Sequence, residues 1–282
     1  MMDDAALQPA ALGLVEERRN KSMAALALRD ITDGLRLWRL WGLLGWNDIR
    51  QRYRRSVFGP LWLTISMAVM VVALGFLYAK LFQVPIQEFI PFLCIGLLVW
   101  GYVSSFLLEG GTLFVASETY IKQIRLPFSA YAYRSAWSKA IIFAHNFLIY
   151  FGVIAYFRIW PGSVALLAIP GFLLITLNGW MLSIILGMAS ARFRDIPQLV
   201  ASLVQIVFFV TPIIWKPELL KDQMYLADWN PFHAFIEIVR APLLGQVPPT
   251  FTYVLALAVT VLNAMVLALF FGRYRSRIPY WI

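Results

Sequence analysis

Arg50, Arg52, Arg54 and Arg55 put four guanidinium groups within six residues. Each guanidinium is a planar fork of donors that matches two oxygens of a phosphate. Such a cluster can receive an anionic amphiphile, for instance a lipid pyrophosphate. It can equally bind anionic lipid headgroups and fix how the chain sits in a membrane, and the two roles are compatible. Other chemistry is poorly supplied. His145 and His233 are the only histidines, only His233 has another ligand type (Glu237) four residues later, and no metal site is expected. Cys94 is the one cysteine; it excludes an intrachain disulfide and reads as a small buried hydrophobe. None of the 17 glycines precedes a lysine, so no G-x-x-x-x-G-K-[ST] phosphate loop exists in the chain. The acids lie in loops and no His-x4-Asp pair is present, which argues against a membrane enzyme using paired acid and base groups.

The elements that must position the arginines are apolar. Of the 282 residues 61% are hydrophobic and only 14% charged, with a mean hydropathy of +0.71. Soluble domains carry roughly 45–50% apolar and 25% charged residues, so a membrane protein is expected. About 20 apolar residues cross a bilayer. Six candidate spans satisfy this, near 61–82, 89–108, 139–157, 163–189, 198–215 and 250–272. The fourth lies in a long uncharged stretch in which Pro161-Gly162 and Pro170 suggest a loop entry or kink. No secretory signal peptide is recognisable before residue 60, so the first span is expected to direct insertion.

Charge bias sets the orientation. If both termini are cytoplasmic, 19 of the 24 Lys and Arg residues fall on the inner side, leaving Lys80, Arg158, Lys216, Lys221 and Arg240 outside. The positive-inside rule therefore predicts that topology. The net charge of +9 is mostly a topological signal, and no nucleic-acid partner is expected because the cations border spans. Span centres hold no Asp, Glu, Lys or Arg and no internal repeat is visible, which disfavours a secondary transporter or channel. Before the arginines, Leu37, Trp38, Trp41, Leu44 and Trp46 alternate with Arg36, Arg39 and Asn47 at near-helical spacing, predicting an amphipathic helix in the headgroup plane. Gly59-Pro60 ends that element. The third span starts polar, with Arg134, Ser135, Ser138, Lys139, His145 and Asn146, and His145 is expected to hydrogen-bond between helices.

Five stretches carry a resemblance: RYRRSVFGPLW (52–62), IKQIRLPFSAYAYRSAWSKAIIFAHNFLIY (121–150), ARFRDIPQLVASLVQ (191–205), TPIIWKP (211–217) and NPFHAFIEIVRAPLLG (230–245). Together, over about residues 30–282, the chain resembles the permease subunit of polysaccharide-exporting ABC transporters of the ABC-2 type, or type V exporters. These serve O-antigen, teichoic acid and capsule, and the O-antigen branch looks nearest. The resemblance implies an all-α membrane fold of six transmembrane helices, an N-terminal interfacial helix and short re-entrant periplasmic helices. It implies a homodimer paired with two copies of a separate ABC ATPase, which would bind the ATP and Mg; no cofactor is expected on this chain. The cargo would be a lipid-linked polysaccharide crossing a bacterial inner membrane from cytoplasm to periplasm. An ABC-2 permease for a smaller lipid or drug is the closest alternative.

The resemblance also divides the chain. Residues 1–28 would be a flexible cytoplasmic extension, 29–60 the interfacial helix and basic entrance, and 61–282 the permease domain. The loop at about 112–130 would dock on the ATPase. There Glu118, Lys122 and Arg125 fall near helical spacing, Tyr120, Ile121 and Ile124 offer an apolar knob, and Pro127 is expected to stop the helix. A plain helix-capping loop is the alternative. The segment at about 216–249 would hold the periplasmic gate. In it Phe232, Phe235, Ile236, Val239 and Leu243 recur at helical spacing with Arg240 among them, predicting an amphipathic helix too short to span. A purely structural outer helix is the alternative. Trp62, Phe76, Tyr78, Phe208, Phe209 and Trp215 are candidates for a channel lining of aromatic faces; they can equally face lipid or a neighbouring helix.

Overall fold

The structure, a computed structural model, describes residues 25–52, 54, 59 and 61–282. Among these there is no strand. Residues 25–36 form α1, and a turn at Leu37 leads into α2 (Trp38–Arg52). Then come α3 (Leu61–Leu81), α4 (Ile86–Gly110), α5 (Glu118–Gln123), α6 (Phe128–Phe157), α7 (Ala168–Arg192), α8 (Ile196–Val210), α9 (Tyr225–Asp228), α10 (Pro231–Leu243), α11 (Thr250–Tyr274) and α12 (Ile278–Trp281). Short 3-10 segments lie at Gly162–Leu167, Pro217–Gln223 and Arg275–Arg277.

Helix α4 is the axis of the bundle. Two thirds of its most apolar stretch is buried, with Phe89, Leu93, Cys94, Ile95 and Phe106 almost fully enclosed. It packs against α3, α6, α7, α8 and α10. By contrast α3, α6 and α11 leave most of their apolar surface uncovered. Segments apolar all round, yet buried on one side only, are what a bilayer accommodates.

Five helices among the described residues are long and apolar enough to cross a membrane. The predicted span at 198–215 is instead the 15-residue α8, about 22 Å long at 1.5 Å per residue, against a hydrocarbon thickness of about 30 Å. It stops because Pro212 follows: Thr211 is pushed to an extended conformation (φ −87°, ψ 138°). The third span also begins earlier than predicted, at Phe128 rather than 139, and runs for 30 residues. Its start is set by a remote residue. Pro127 occupies the N-cap and offers no side-chain cap. Asp30 of α1 supplies one: its carboxylate accepts from the N–H groups of Phe128 (3.2 Å) and Ser129 (3.0 Å), and its carbonyl accepts from Ser129 Oγ (2.7 Å). Gly34 permits that approach, since a Cβ there would run into Ser129 Oγ.

Residues 25–28 belong to this packed element. Ala27 is buried, and the Leu26 carbonyl accepts from Arg275. The helix therefore starts inside what the sequence reads as an extension; residues 1–24 of that stretch lie outside the described residues.

Candidate functional site

Helix α2 docks on α6 through Trp41, Gly45, Asp48 and Ile49, a stripe at helical spacing. Trp41 stacks on Tyr133 (5.8 Å) and meets Trp137 edge-on (6.4 Å). Gly45 lets the backbones close up, and its carbonyl accepts from Ser138 Oγ at 3.1 Å. Asp48 takes a two-pronged hydrogen bond from the Arg134 guanidinium, through Nε (2.7 Å) and Nη2. The predicted aromatic face is thus divided: Trp41 turns inward, while Trp38 and Trp46 stay exposed.

Beyond Asp48, α2 delivers Arg52 to the ends of α4 and α6. Arg52 Nη2 lies 3.5 Å from Glu109 Oε1, and Lys139 Nζ lies 2.9 Å from Glu109 Oε2. Lys139 also donates to Ser135 Oγ at 2.5 Å, and its side chain is only 2% exposed. The two halves of this group differ. Lys139 is sealed, whereas the Arg52 side chain is 51% exposed and its contact is longer. A cavity of about 600 Å³ opens beside it, lined by Asp48, Arg52, Glu109, Tyr131, Arg134 and Ser138. A smaller hollow of about 210 Å³, reaching Tyr102 and Asn146, is also lined by Arg52, Glu109 and Lys139. Arg52 and Glu109 line both spaces, and Lys139 lines the smaller one.

An anion entering the larger cavity meets two guanidinium groups already holding carboxylates. Arg52 is the one more readily released, because its pairing is long and half solvated. The Tyr131 hydroxyl, buried and with no hydrogen-bond partner among the described residues, is a further donor at the wall. Of the predicted cluster, Arg52 faces the cavity, Arg50 and Arg54 are exposed, and Arg55 lies outside the described residues. Glu109 and Asp48 were not singled out from sequence. The signal was there: each is a lone acid beside apolar or aromatic residues, where an unpaired charge is costly. Lys139 sits well inside α6 yet reaches the end of α4, because the 30-residue α6 extends past it.

The predicted docking loop forms only a short helix, α5, ending at Gln123. Ile124 is extended and Arg125 lies beyond, so the Glu118–Lys122–Arg125 spacing is helical only in its first step. Pro127 does not stop this helix; it precedes α6. The Lys122 ammonium, 2.6 Å away, holds the Glu118 carboxyl below the usual carboxylate range. Ile121 tucks against the core, Tyr120 lies under the Arg134 guanidinium (5.4 Å), and Ile124 is exposed.

Farther along α4, from Trp100 to Phe92 and so about 13–26 Å from Glu109 at 1.5 Å per residue, α10 is buried on nearly every side. Only Pro231, Phe232 and Glu237 are partly open among Pro231–Arg240. The expected one-sided amphipathic helix is therefore a core element, because α4, α7 and α11 enclose it. Gly171 of α7 makes the close approach possible, as a Cβ there would lie 2.7 Å from the Ile238 carbonyl oxygen. Phe235, Ile236 and Val239 are buried, and Phe232 meets Trp100 edge-on at 5.9 Å. Arg240, 1% exposed, donates to Glu237 Oε2 (2.9 and 2.6 Å) and to the Pro212 carbonyl (2.9 Å), and lies 3.9 Å above the Phe92 ring. It ties α10 to α4 and to the chain after α8. A cavity of about 530 Å³ adjoins it, reaching Glu88, Lys216, Glu218, Asp228 and His233. Burial, and then the Arg240 charge, push the His233 imidazole down to about 4.

The candidate channel aromatics fall into two groups. Trp62, Phe76 and Tyr78 ride on α3, with Tyr78 stacked on Phe82 at 5.5 Å. Phe208, Phe209 and Trp215 cluster at the end of α8; Phe208 contacts Phe209 (5.2 Å) and Trp100 (5.8 Å), and Trp215 Nε1 donates to the Phe209 carbonyl (3.0 Å). They form no single wall. His145 does not bridge helices as expected: its Nδ1 lies 2.8 Å from the Ile141 carbonyl of its own helix. Asn146 accepts from Thr64 of α3 (3.4 Å), and Asn178 of α7 bonds to α11, donating to Thr260 (2.7 Å) and accepting from Asn263 (2.8 Å).

Two charged constellations thus stand at different levels of an apolar bundle, and among the described residues no set of His, Cys, Asp or Glu could hold a metal. The pattern of the ABC-2 type transporter family matches residues 39–244. The chain belongs to that family. The match spans α2 to α10, and so includes both constellations described above. Among curated relatives of this ABC-2 chain is a Klebsiella pneumoniae protein named O-antigen export system permease protein RfbA, 24% identical over 195 residues, covering 67% of this chain and 74% of the relative. A second K. pneumoniae protein of that name is 23% identical over 197 residues, with the same coverage. A Myxococcus xanthus namesake is 23% identical over 178 residues, covering 63% of this chain and 68% of its own length.

Proposed function

We propose that this multi-pass membrane protein is the channel-forming permease of an ATP-driven exporter that moves a polyprenyl-pyrophosphate-linked polysaccharide, O-antigen or a similar surface glycan, from cytoplasm to periplasm. The carrying observation is the family match together with three relatives named as O-antigen export permeases. The fold supports the reading with a cavity lined by Arg52 and Arg134 and, farther along α4, a buried, ion-paired helix. Two copies of this chain would pair with two ATPase subunits carrying ATP and Mg, in a bacterial inner membrane with both termini cytoplasmic.

In this mechanism α2 lies in the headgroup plane and Arg50, Arg52, Arg54 and Arg55 receive the pyrophosphate. Arg52 exchanges Glu109 for the incoming phosphate. ATPase closure reaches the bundle through α5 and shifts the population between closed and open channels. The exposed apolar faces of α3 and α8 meet lipid or the second copy, with their aromatics presenting flat, weakly specific surfaces to sugar rings. Helix α10, re-entering the outer half of the membrane, closes the exit.

The test is export by a variant carrying Arg52→Gln, Arg54→Gln and Arg55→Gln. Loss of surface polysaccharide with normal membrane insertion is the expected result. Normal surface polysaccharide would overturn the entrance assignment.

A further inference from the structure

The C-terminal segment is built into the same end of the bundle as α5. After α11 the chain turns through Arg275–Arg277 into α12, which packs against α5 and the end of α7. Ile278 is fully buried there. The Arg194 guanidinium donates to the Trp281 carbonyl (3.4 Å), and Arg192 lies over both the Trp281 ring (5.9 Å) and the Phe193 ring (5.8 Å). Glu118 of α5 feels the Arg194 charge. Three segments distant in sequence are thus fastened into one surface: α5, the α7–α8 turn and α12.

What this surface leaves uncovered is apolar and basic. Tyr280 is 86% exposed and Phe193 57%, while Tyr120 and Ile124 are also open. Around them, residues 118–125, 192–195 and 273–282 carry six Lys and Arg besides Arg275, which turns inward to Asp30 and the Leu26 carbonyl, against only Glu118 and Asp195. Exposed aromatics ringed by cations mark a docking surface rather than a solvated face. A tail that only gripped lipid headgroups would gain nothing from being clamped to the α7–α8 turn and α5. The clamp holds Tyr280 beside the helix ends, where movement of a soluble partner can be transmitted into α7 and α11.

We propose that the surface receiving the ATP-hydrolysing subunit is tripartite, with the α7–α8 turn and the C-terminal α12 docking beside α5 into a face of the partner that is acidic and carries an apolar recess. Phe193 and Tyr280 are its outer knobs. This rests on the reading of the chain as an ATPase-driven permease.

The experiment is co-purification of the tagged chain from its native membrane in mild detergent, comparing wild type with Phe193→Glu, Tyr280→Glu and the pair. Trp160→Glu, at an exposed position away from this surface, is the control. Each single variant should lose at least tenfold of the ATPase at 150 mM salt, at unchanged permease level and thermal midpoint, with the control unaffected. Full ATPase retention by the pair overturns the proposal and leaves the exporter reading standing. Retention of ATPase together with loss of binding to vesicles containing anionic lipid assigns α12 to the membrane instead, and also overturns it. Wild type carrying no ATPase overturns the exporter reading itself.

Discussion

Glu109→Gln is the sharpest perturbation of the Arg52–Glu109–Lys139 group. Lys139 is 2% exposed, and its hydrogen bonds go to Glu109 Oε2 and Ser135 Oγ. Removing the carboxylate strands a buried ammonium, which costs about 3–5 kcal/mol when one partner of a buried pair is lost. Arg52 contributes little to that figure, since a half-exposed pair at 3.5 Å is worth about 0–1 kcal/mol. The assay is a double-mutant cycle in detergent or nanodiscs, with unfolding followed by tryptophan fluorescence. Glu109→Gln should cost several-fold more than Arg52→Gln. Adding Lys139→Met to Glu109→Gln should recover most of the loss, because an apolar side chain of similar length replaces the stranded charge. A Glu109→Gln cost below about 1 kcal/mol, the ceiling of a solvated pair, would refute the burial argument. So would a double variant as unstable as the single one.

Three further outcomes follow from the packing. Asp30→Ala should lower stability by about 1–2 kcal/mol through loss of the α6 cap, with Asp30→Asn retaining most of it; equal losses in both, read by thermal unfolding, would deny the cap. Gly171→Ala should lower the unfolding midpoint by about 1–3 kcal/mol of overpacking, because the new Cβ meets the Ile238 carbonyl; an unchanged midpoint would place α10 farther from α7. His233 gives a pH dependence: with its folded value near 4 against about 6.5 unfolded, stability is unaffected above 6.5 and falls below it as the unfolded chain takes up the proton, by about 2 kcal/mol at pH 5. His233→Gln should flatten that slope, and an identical slope in the variant would exclude His233 as its source.

The long helices were legible in the sequence because uncharged runs of 20 or more residues admit few other structures. Their ends were not. The start of α6 is fixed by Asp30, 98 residues away from Phe128, and no local signal announces a cap delivered by another helix. The candidate span at 198–215 is shorter than its hydropathy suggests: hydropathy continues across Thr211-Pro212, but the helix ends at Val210. The density of arginines at positions 50–55 was visible in the sequence. The counter-charge was not, since Glu109 meets Arg52 only when α2 lies along α6 and reaches the end of α4. Helix α10 shows the opposite failure. Its apolar spacing is real, yet its charged pair Glu237–Arg240 is internal, so the period indicated a surface helix where the fold made a core one.

The central claim is that this chain is the membrane half of an ATP-driven exporter. Mild extraction of the tagged chain from its native membrane, followed by native mass measurement of the intact assembly, tests it most directly. Two copies of the chain with two copies of a P-loop ATPase is the predicted mass. A homo-oligomer without ATPase, reproduced in lipid nanodiscs, would contradict the account.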